Sequence, residues 1–365
     1  MLWRAYALLS HGGDRFGLGS IGLGSWRMPA IPTTFRRSND VLKVLEEADT
    51  AIWSASALSA CAESGLLARL GYPATIGELA LALSLPPALV QSLLDALAAF
   101  GFVTWKDGRV QASPALMPFT SSEGMETFKA ALCAPLMQSE DFRHRLKTGT
   151  LNLDGWSHKD DAIIEAQGTL TRHWTTRALP KLKFLPGLVP QLEAPGAALL
   201  DVGAGAAGLS IALCRQFPRL RAVALEPAPH PARIGERHVQ QAGLADRIAI
   251  RRERVEDLPE DKTFDLAFLP QMFLPDAIIE EAVQRIYRAL KPGGWLLVAA
   301  LSHDGQGVAS AVNRLKNLLW GGNTRDVARI KPLLESAGFD PVIRAPGRQS
   351  LRMICARRPN LRDLP

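Results

Sequence analysis

Leu199-Leu200-Asp201-Val202-Gly203-Ala204-Gly205-Ala206-Ala207-Gly208-Leu209-Ser210 decides how the second half of this chain folds. A short apolar run ends on Asp201-Val202, three glycines follow at G-x-G-x-x-G spacing, and a helix pattern begins at once. Glycines so placed permit a tight turn and let the backbone approach a ligand closely. The same spacing serves nicotinamide and flavin dinucleotides, so the glycines alone choose no ligand. Asp201 narrows the field, because a carboxylate there repels a pyrophosphate and suits a cation.

Outward from this turn, short apolar strands are predicted at 197–202, 220–225, 248–252, 264–269 and 295–301, with helices starting near Gly208, Pro231, Ala277 and Arg325. Such alternation predicts a parallel sheet covered on both faces. The second strand ends at Glu226, which can accept hydrogen bonds from both hydroxyls of a ribose. A helix, a turn at Lys291-Pro292-Gly293-Gly294 and a strand follow at the expected distance. The tail, 340–345 and 350–356, reads as a closing antiparallel hairpin.

In front of this region the pattern is helical. Apolar positions recur at helical spacing from 39 to about 70. Thr75, with Glu78 three residues on, predicts a capped helix start, and Pro87 suits the first position of a second helix over 88–100. Two short runs around Lys106-Asp107-Gly108 read as a hairpin, which completes a winged helix. No Lys or Arg occurs from Gly71 to Trp105. A helix without basic neighbours is poorly suited to DNA, so its surface is expected to bury against another subunit.

Asp201, the spaced glycines, Glu226 and the Pro-Gly-Gly turn together resemble the class I S-adenosylmethionine-dependent methyltransferases. The helical front half resembles their dimeric small-molecule, O-methyltransferase-like type. The resemblance implies an α/β fold in which a Rossmann-like, seven-stranded methyltransferase domain follows a mostly α-helical winged-helix dimerisation domain. It divides the chain into an extension (1–38), a helical dimerisation domain (39–185) and a cofactor-binding domain (186–365). S-adenosylmethionine is the implied cofactor, S-adenosylhomocysteine the product, and no metal is required. By the same resemblance Asp201, Gly203, Gly205 and Gly208 form the cofactor loop, Glu226 holds the ribose and Pro227 lies beside the adenine. Leu269 and Pro270 end the fourth strand next to the cofactor. Family members place an acid before a Leu-Pro pair to receive the adenine amino group; Arg254, followed by Val255, stands at that position here, with Glu253 and Glu256 nearby.

Related O-methyltransferases use a His after the fourth strand as general base, and Met272 occupies its place. Methionine cannot take a proton, so His173 or His303 is the candidate catalytic base. Otherwise the nucleophile is a neutral amine, an acidic enol or an activated ring carbon that needs none. A third reading is a cofactor-binding homologue with non-methylating chemistry or a ligand-sensing role. Trp174, Met272, Phe273 and Trp320, with Trp156, are the candidate lining of an acceptor site for a small aromatic or polyketide-like molecule. No Asn-Pro-Pro-Tyr-like run follows the fourth strand, which argues against nucleic acid as substrate.

Composition sets wider bounds. With 47% apolar and 21% charged residues, the chain is not a disordered one. A formal charge of +6 is too mild to imply a polyanionic partner. Four cysteines lie far apart, so neither a zinc site nor a disulfide framework is expected, and a reducing cytoplasm is. No apolar run reaches the ~18 residues of a membrane span.

Overall fold

The computed structural model describes residues 40–153, 155–156, 158–301, 307–345 and 351–360. The expected extension 1–38 and the candidate base His303 lie outside them.

The front half is helical: α1 (Val41–Glu63), α2 (Leu66–Arg69), α3 (Ile76–Leu83), α4 (Pro87–Ala99), a hairpin of β1 (Val103–Lys106) and β2 (Arg109–Ala112), then α5 (Ser122–Thr148), α6 (Asp161–Ala178) and α7 (Leu188–Glu193). The expected cap is present. Glu78 N–H donates to Thr75 Oγ1 at 3.2 Å and Thr75 N–H to Glu78 Oε2 at 2.7 Å, a reciprocal box that satisfies two donors at the start of α3. Pro87 opens α4, and the two helices meet at 114°. Leu58, Leu66, Leu79, Leu94, Leu97 and Val110 close one core between these helices and the hairpin.

After α7 the chain alternates: β3 (Ala198–Val202), α8 (Gly208–Gln216), β4 (Arg221–Leu225), α9 (Pro229–Gln241), β5 (Ile248–Arg251), β6 (Phe264–Pro270), α10 (Ile279–Ala289), β7 (Leu290–Leu301), α11 (Val308–Leu319), α12 (Val327–Ser336), β8 (Val342–Arg344) and β9 (Leu351–Arg357). The sheet has seven strands in the order β5-β4-β3-β6-β7-β9-β8. The first five are parallel, and β9 runs antiparallel to both β7 and β8. Successive residues serve opposite faces: Leu199, Ala224, Leu266 and Trp295 pack with α7 and α8, whereas Leu200, Leu225, Ala267 and Leu296 pack with α10 and α12.

Two expectations need adjusting. β7 begins at Leu290 rather than Trp295, because the Pro-Gly-Gly segment continues the strand across a register shift opposite Phe264 and Leu266. α11 adds a helix absent from the expected set. Strand order reverses between β3 and β6, so the loops after β3 and β6 open a crevice at the carboxyl end of the sheet. No helix among the described residues is long and apolar enough to cross a membrane.

Candidate active site

The loop after β3 is wound by three left-handed residues, Gly203 (φ 62°), Gly205 (φ 52°) and Ala207 (φ 59°). For alanine that conformation costs about 1 kcal/mol, so the loop is held by its surroundings. Ala204 N–H donates to Leu225 O at 2.9 Å and Gly205 N–H to Glu226 Oε2 at 3.0 Å. The other carboxylate oxygen, Glu226 Oε1, accepts from Ala228 N–H at 3.0 Å. Glu226 is thus fixed at the end of β4 as an acceptor. Burial raises its pKa, while the Ala228 and Gly205 amides pull it back down. A Cβ built on Gly205 would meet nothing within 4 Å, and one on Gly203 only Pro270 Cγ at 3.8 Å. The loop backbone therefore borders open space beside a buried carboxylate with lone pairs to spare, which fits a ribose-bearing cation.

Asp201 lies beneath this loop, 2% exposed, and accepts from Ser210 Oγ–H at 2.7 Å. Burial pushes its pKa up to about 7, against the Ser210 hydrogen bonds that favour ionisation. A carboxyl with a raised folded pKa binds more protons folded than unfolded, so its contribution falls as pH rises from about 4 through about 7. Asn keeps an acceptor for Ser210 and never ionises. Asp201→Asn is expected to melt above the wild-type protein at about pH 8, with the gap closing toward about pH 5 in calorimetric scans. A gap that widens toward acid pH would remove this account of Asp201.

Arg254 turns to solvent and to a neighbouring acid. Its guanidinium is largely exposed and pairs with Glu256 Oε1 at 2.8 and 3.1 Å. Glu253 faces Arg251 at 3.7 Å. Val255 is buried in the α10-side core, and Leu269 and Pro270 are buried at the end of β6.

Gly208 sits elsewhere than on the open side of the loop. A Cβ there would stand 2.3 Å from Gly168 O and 3.0 Å from Arg172 N, both on α6. Gly168 in turn would touch Ala206 Cβ at 2.5 Å, and Gly235 of α9 would touch Gly205 O at 2.7 Å. Two glycines with no motif to announce them thus let α6 and α9 close on the loop. His238 of α9 ties the three together, bridging Glu165 Oε2 at 2.7 Å and Ala206 O at 3.2 Å. Arg237 also pairs with Glu165.

Met272 lies in the short turn after β6 (271–273), buried at 5% exposure. Asn323 secures that turn, donating from Nδ2 to Gln271 O at 2.8 Å and Leu274 O at 3.0 Å. Of the candidate lining residues, Phe273, Trp320 and Trp156 come together: Phe273 and Trp320 ring centres lie 5.2 Å apart, Phe273 and Trp156 5.4 Å. Trp174 packs against the same core and faces Phe268 at 6.2 Å. Pro227 follows Glu226 and is exposed. His173 has Arg177 and Glu123 as its electrostatic neighbours, and burial lowers its pKa. Gly168 and Arg172, not His173, make the approach of α6 to the loop.

Comparison with known proteins agrees with this geometry. The family profile described as Methyltransferase domain matches residues 199–294, from β3 through the Pro-Gly-Gly segment. The chain is 26% identical over 277 residues to the L-tyrosine C(3)-methyltransferase of Streptomyces lavendulae, covering 68% of this chain and 73% of that one. It is 32% identical over 149 residues to aclacinomycin 10-hydroxylase RdmB of Streptomyces purpurascens, covering 39% of each. The apo crystal structure of the S-adenosylmethionine-dependent methyltransferase SibL superposes with a TM-score of 0.62 at 20% identity, over 87% of this chain and all of that one.

Proposed function

We propose that this chain, a class I S-adenosylmethionine-dependent methyltransferase of the O-methyltransferase-like family, methylates a small hydroxylated aromatic acceptor in the crevice over β6 and β7. The observation that carries the cofactor assignment is Glu226, buried at the end of β4 and clasping the Gly205 amide. S-adenosylmethionine, when bound, supplies a methyl group made electrophilic by the attached sulfonium. The protein's part is positional: Glu226 accepts from the ribose, the 203–207 loop lies along the methionine portion, and Asp201 anchors Ser210 beneath that loop. Holding nucleophile and methyl carbon in line supplies much of the rate in such a displacement. Phe273, Trp320 and Trp156 give the acceptor an apolar, water-poor wall.

Residues 39–185 act as a winged-helix dimerisation domain in this reading. Leu42, Leu45, Ile52 and Trp53 support it, being 58–71% exposed on α1, where a second subunit would cover them. The Lys- and Arg-free α3 and α4 disfavour a nucleic-acid partner, and the cysteine pattern favours the cytoplasm. A second reading, cofactor binding without methyl transfer, draws support from Met272 at the place of the usual base and from the partial match to a hydroxylase.

Calorimetric titration with S-adenosylmethionine and S-adenosylhomocysteine separates these readings. Both should bind the wild-type protein, and Gly205→Arg, which fills the open space over the loop, should abolish binding. Release of S-adenosylhomocysteine across a panel of phenols, catechols and hydroxyaromatic amino acids then establishes transfer. Binding without release from any acceptor favours the second reading; absence of binding removes both.

A further inference from the structure

The contact between α6 and α9 behind the glycine loop carries a histidine whose ring nitrogens both face acceptors. His238 Nε2 stands 2.7 Å from Glu165 Oε2 of α6, and its Nδ1 stands 3.2 Å from Ala206 O in the loop. A neutral imidazole has one N–H and can donate to only one of them, whereas the imidazolium has two and satisfies both. The side chain is 14% exposed, so water competes poorly for either bond. Imidazolium and carboxylate together make a charge-assisted hydrogen bond, the stronger kind.

The carbonyl that His238 holds belongs to the peptide joining Ala206 to Ala207, the left-handed alanine of the loop (φ 59°). The N–H of the same peptide donates to Ala204 O at 2.8 Å. A peptide tethered at both polar atoms resists turning over, and such over-determination is what keeps a residue with a side chain in a disfavoured conformation. One residue earlier, Gly205 N–H reaches Glu226 at 3.0 Å. His238 and Glu226 thus grip adjacent residues of one loop. The other charged groups along this contact are Asp161 on α6 and His230, Arg233 and Arg237 on α9; residues 203–208 contribute none. Arg237 pairs with Glu165, His230 with Asp161 at 2.9 Å, and Arg233 with the His230 ring at 3.2 Å. On the β5 side, Arg252 faces Glu236 at 3.5 Å.

Resting on the cofactor assignment above, we propose that His238, as an imidazolium paired with Glu165, is a positioning residue that holds the 203–207 loop in its cofactor-binding form, so that cofactor affinity follows the protonation of a group behind the crevice. Loss of the ring proton removes one of the two donors. The N–H that remains goes to Glu165, whose carboxylate is the stronger acceptor, and Ala206 O is left facing a lone pair. The peptide between Ala206 and Ala207 is then free to turn, and the Gly205 amide held by Glu226 shifts with it. Linkage fixes the sign. The form that binds cofactor better carries the proton, so affinity falls as pH rises, and binding takes up a proton from solvent.

Calorimetric titration of the full-length protein with S-adenosylhomocysteine from about pH 6 to about pH 9 tests this, since histidine changes charge in that range. Wild-type affinity should fall ~10-fold or more across it, the size of one lost charge-assisted hydrogen bond. Repeating the titration near neutrality in buffers of different ionisation enthalpy should show proton uptake on binding. Other groups titrate alike in every variant, so differences between the profiles belong to this pair. His238→Gln, which never ionises, should bind weakly at low pH, lose most of the fall and take up less proton. Glu165→Gln leaves the ring in place but removes the charge that favours the imidazolium, so the fall should move to lower pH, a shift that a merely structural contact would not produce. His230→Gln, on the same interface but without a bond to the loop, should keep the wild-type profile. Profiles for His238→Gln and Glu165→Gln that match a binding-competent wild type overturn the positioning role and leave the cofactor assignment standing. Failure of the wild type to bind at any pH overturns the cofactor assignment itself.

Discussion

Gly208→Ala is expected to cost the fold about 3 kcal/mol, at the upper end for overpacking a close contact. The added carbon would sit 2.3 Å from Gly168 O and 3.0 Å from Arg172 N. Both neighbours are backbone atoms within α6, so no side-chain rotation relieves the clash; the helix itself must withdraw. Withdrawal strips the cover from Ala206 and Ile164, which are buried together with Ile234. Urea denaturation should show a lower midpoint, and cofactor affinity should fall with it. Gly205→Ala is the control. It meets no atom within 4 Å, but at φ 52° it carries only the left-handed strain of about 1–2 kcal/mol. Equal midpoints for Gly208→Ala and wild type would mean that α6 does not rest on the loop as described.

Glu226→Ala should reduce affinity for S-adenosylhomocysteine ~100- to 1000-fold while lowering the melting temperature far less. Two hydrogen bonds from ribose to a carboxylate, at about 1.5–3 kcal/mol each, account for a loss of that size. Truncation also frees the Gly205 and Ala228 amides, so the loop loses its anchor. Stability behaves differently, because burial raises the pKa of Glu226 and its removal relieves that desolvation. Calorimetric titration and thermal scanning on one preparation measure the two effects together. A variant that binds as tightly as wild type would show that the ribose is held elsewhere.

The sheet and its turn are legible in the sequence because both obey local rules. Side chains alternate in β3 and β6 with period two, and Thr75 with Glu78 spells a helix cap within four residues. α11 has a signal too, in Val308, Val312 and Leu315 at helical spacing, although these side chains are 40–46% exposed rather than in a core. The close approaches are another matter. Gly168, Gly235 and Gly322 are required by atoms on distant segments, and nothing in their neighbouring residues says so. Gly208 was legible as part of a loop, but its contact with α6 belongs to the folded chain.

The seating of α6 on the glycine loop has a bearing on how the polypeptide is made. Glu165 precedes its partner His238 by 73 residues, and at ~5–20 residues per second the ribosome needs about four to fifteen seconds to deliver the second after the first. During that interval Ile163 and Ile164 emerge with nothing from α8 or α9 yet available to cover them. The α1–α4 core can close early, since every residue it needs has been translated by then. α6 must wait. Nascent chains stalled between α6 and α9 should therefore be the ones most readily captured by chaperones that bind exposed apolar helices.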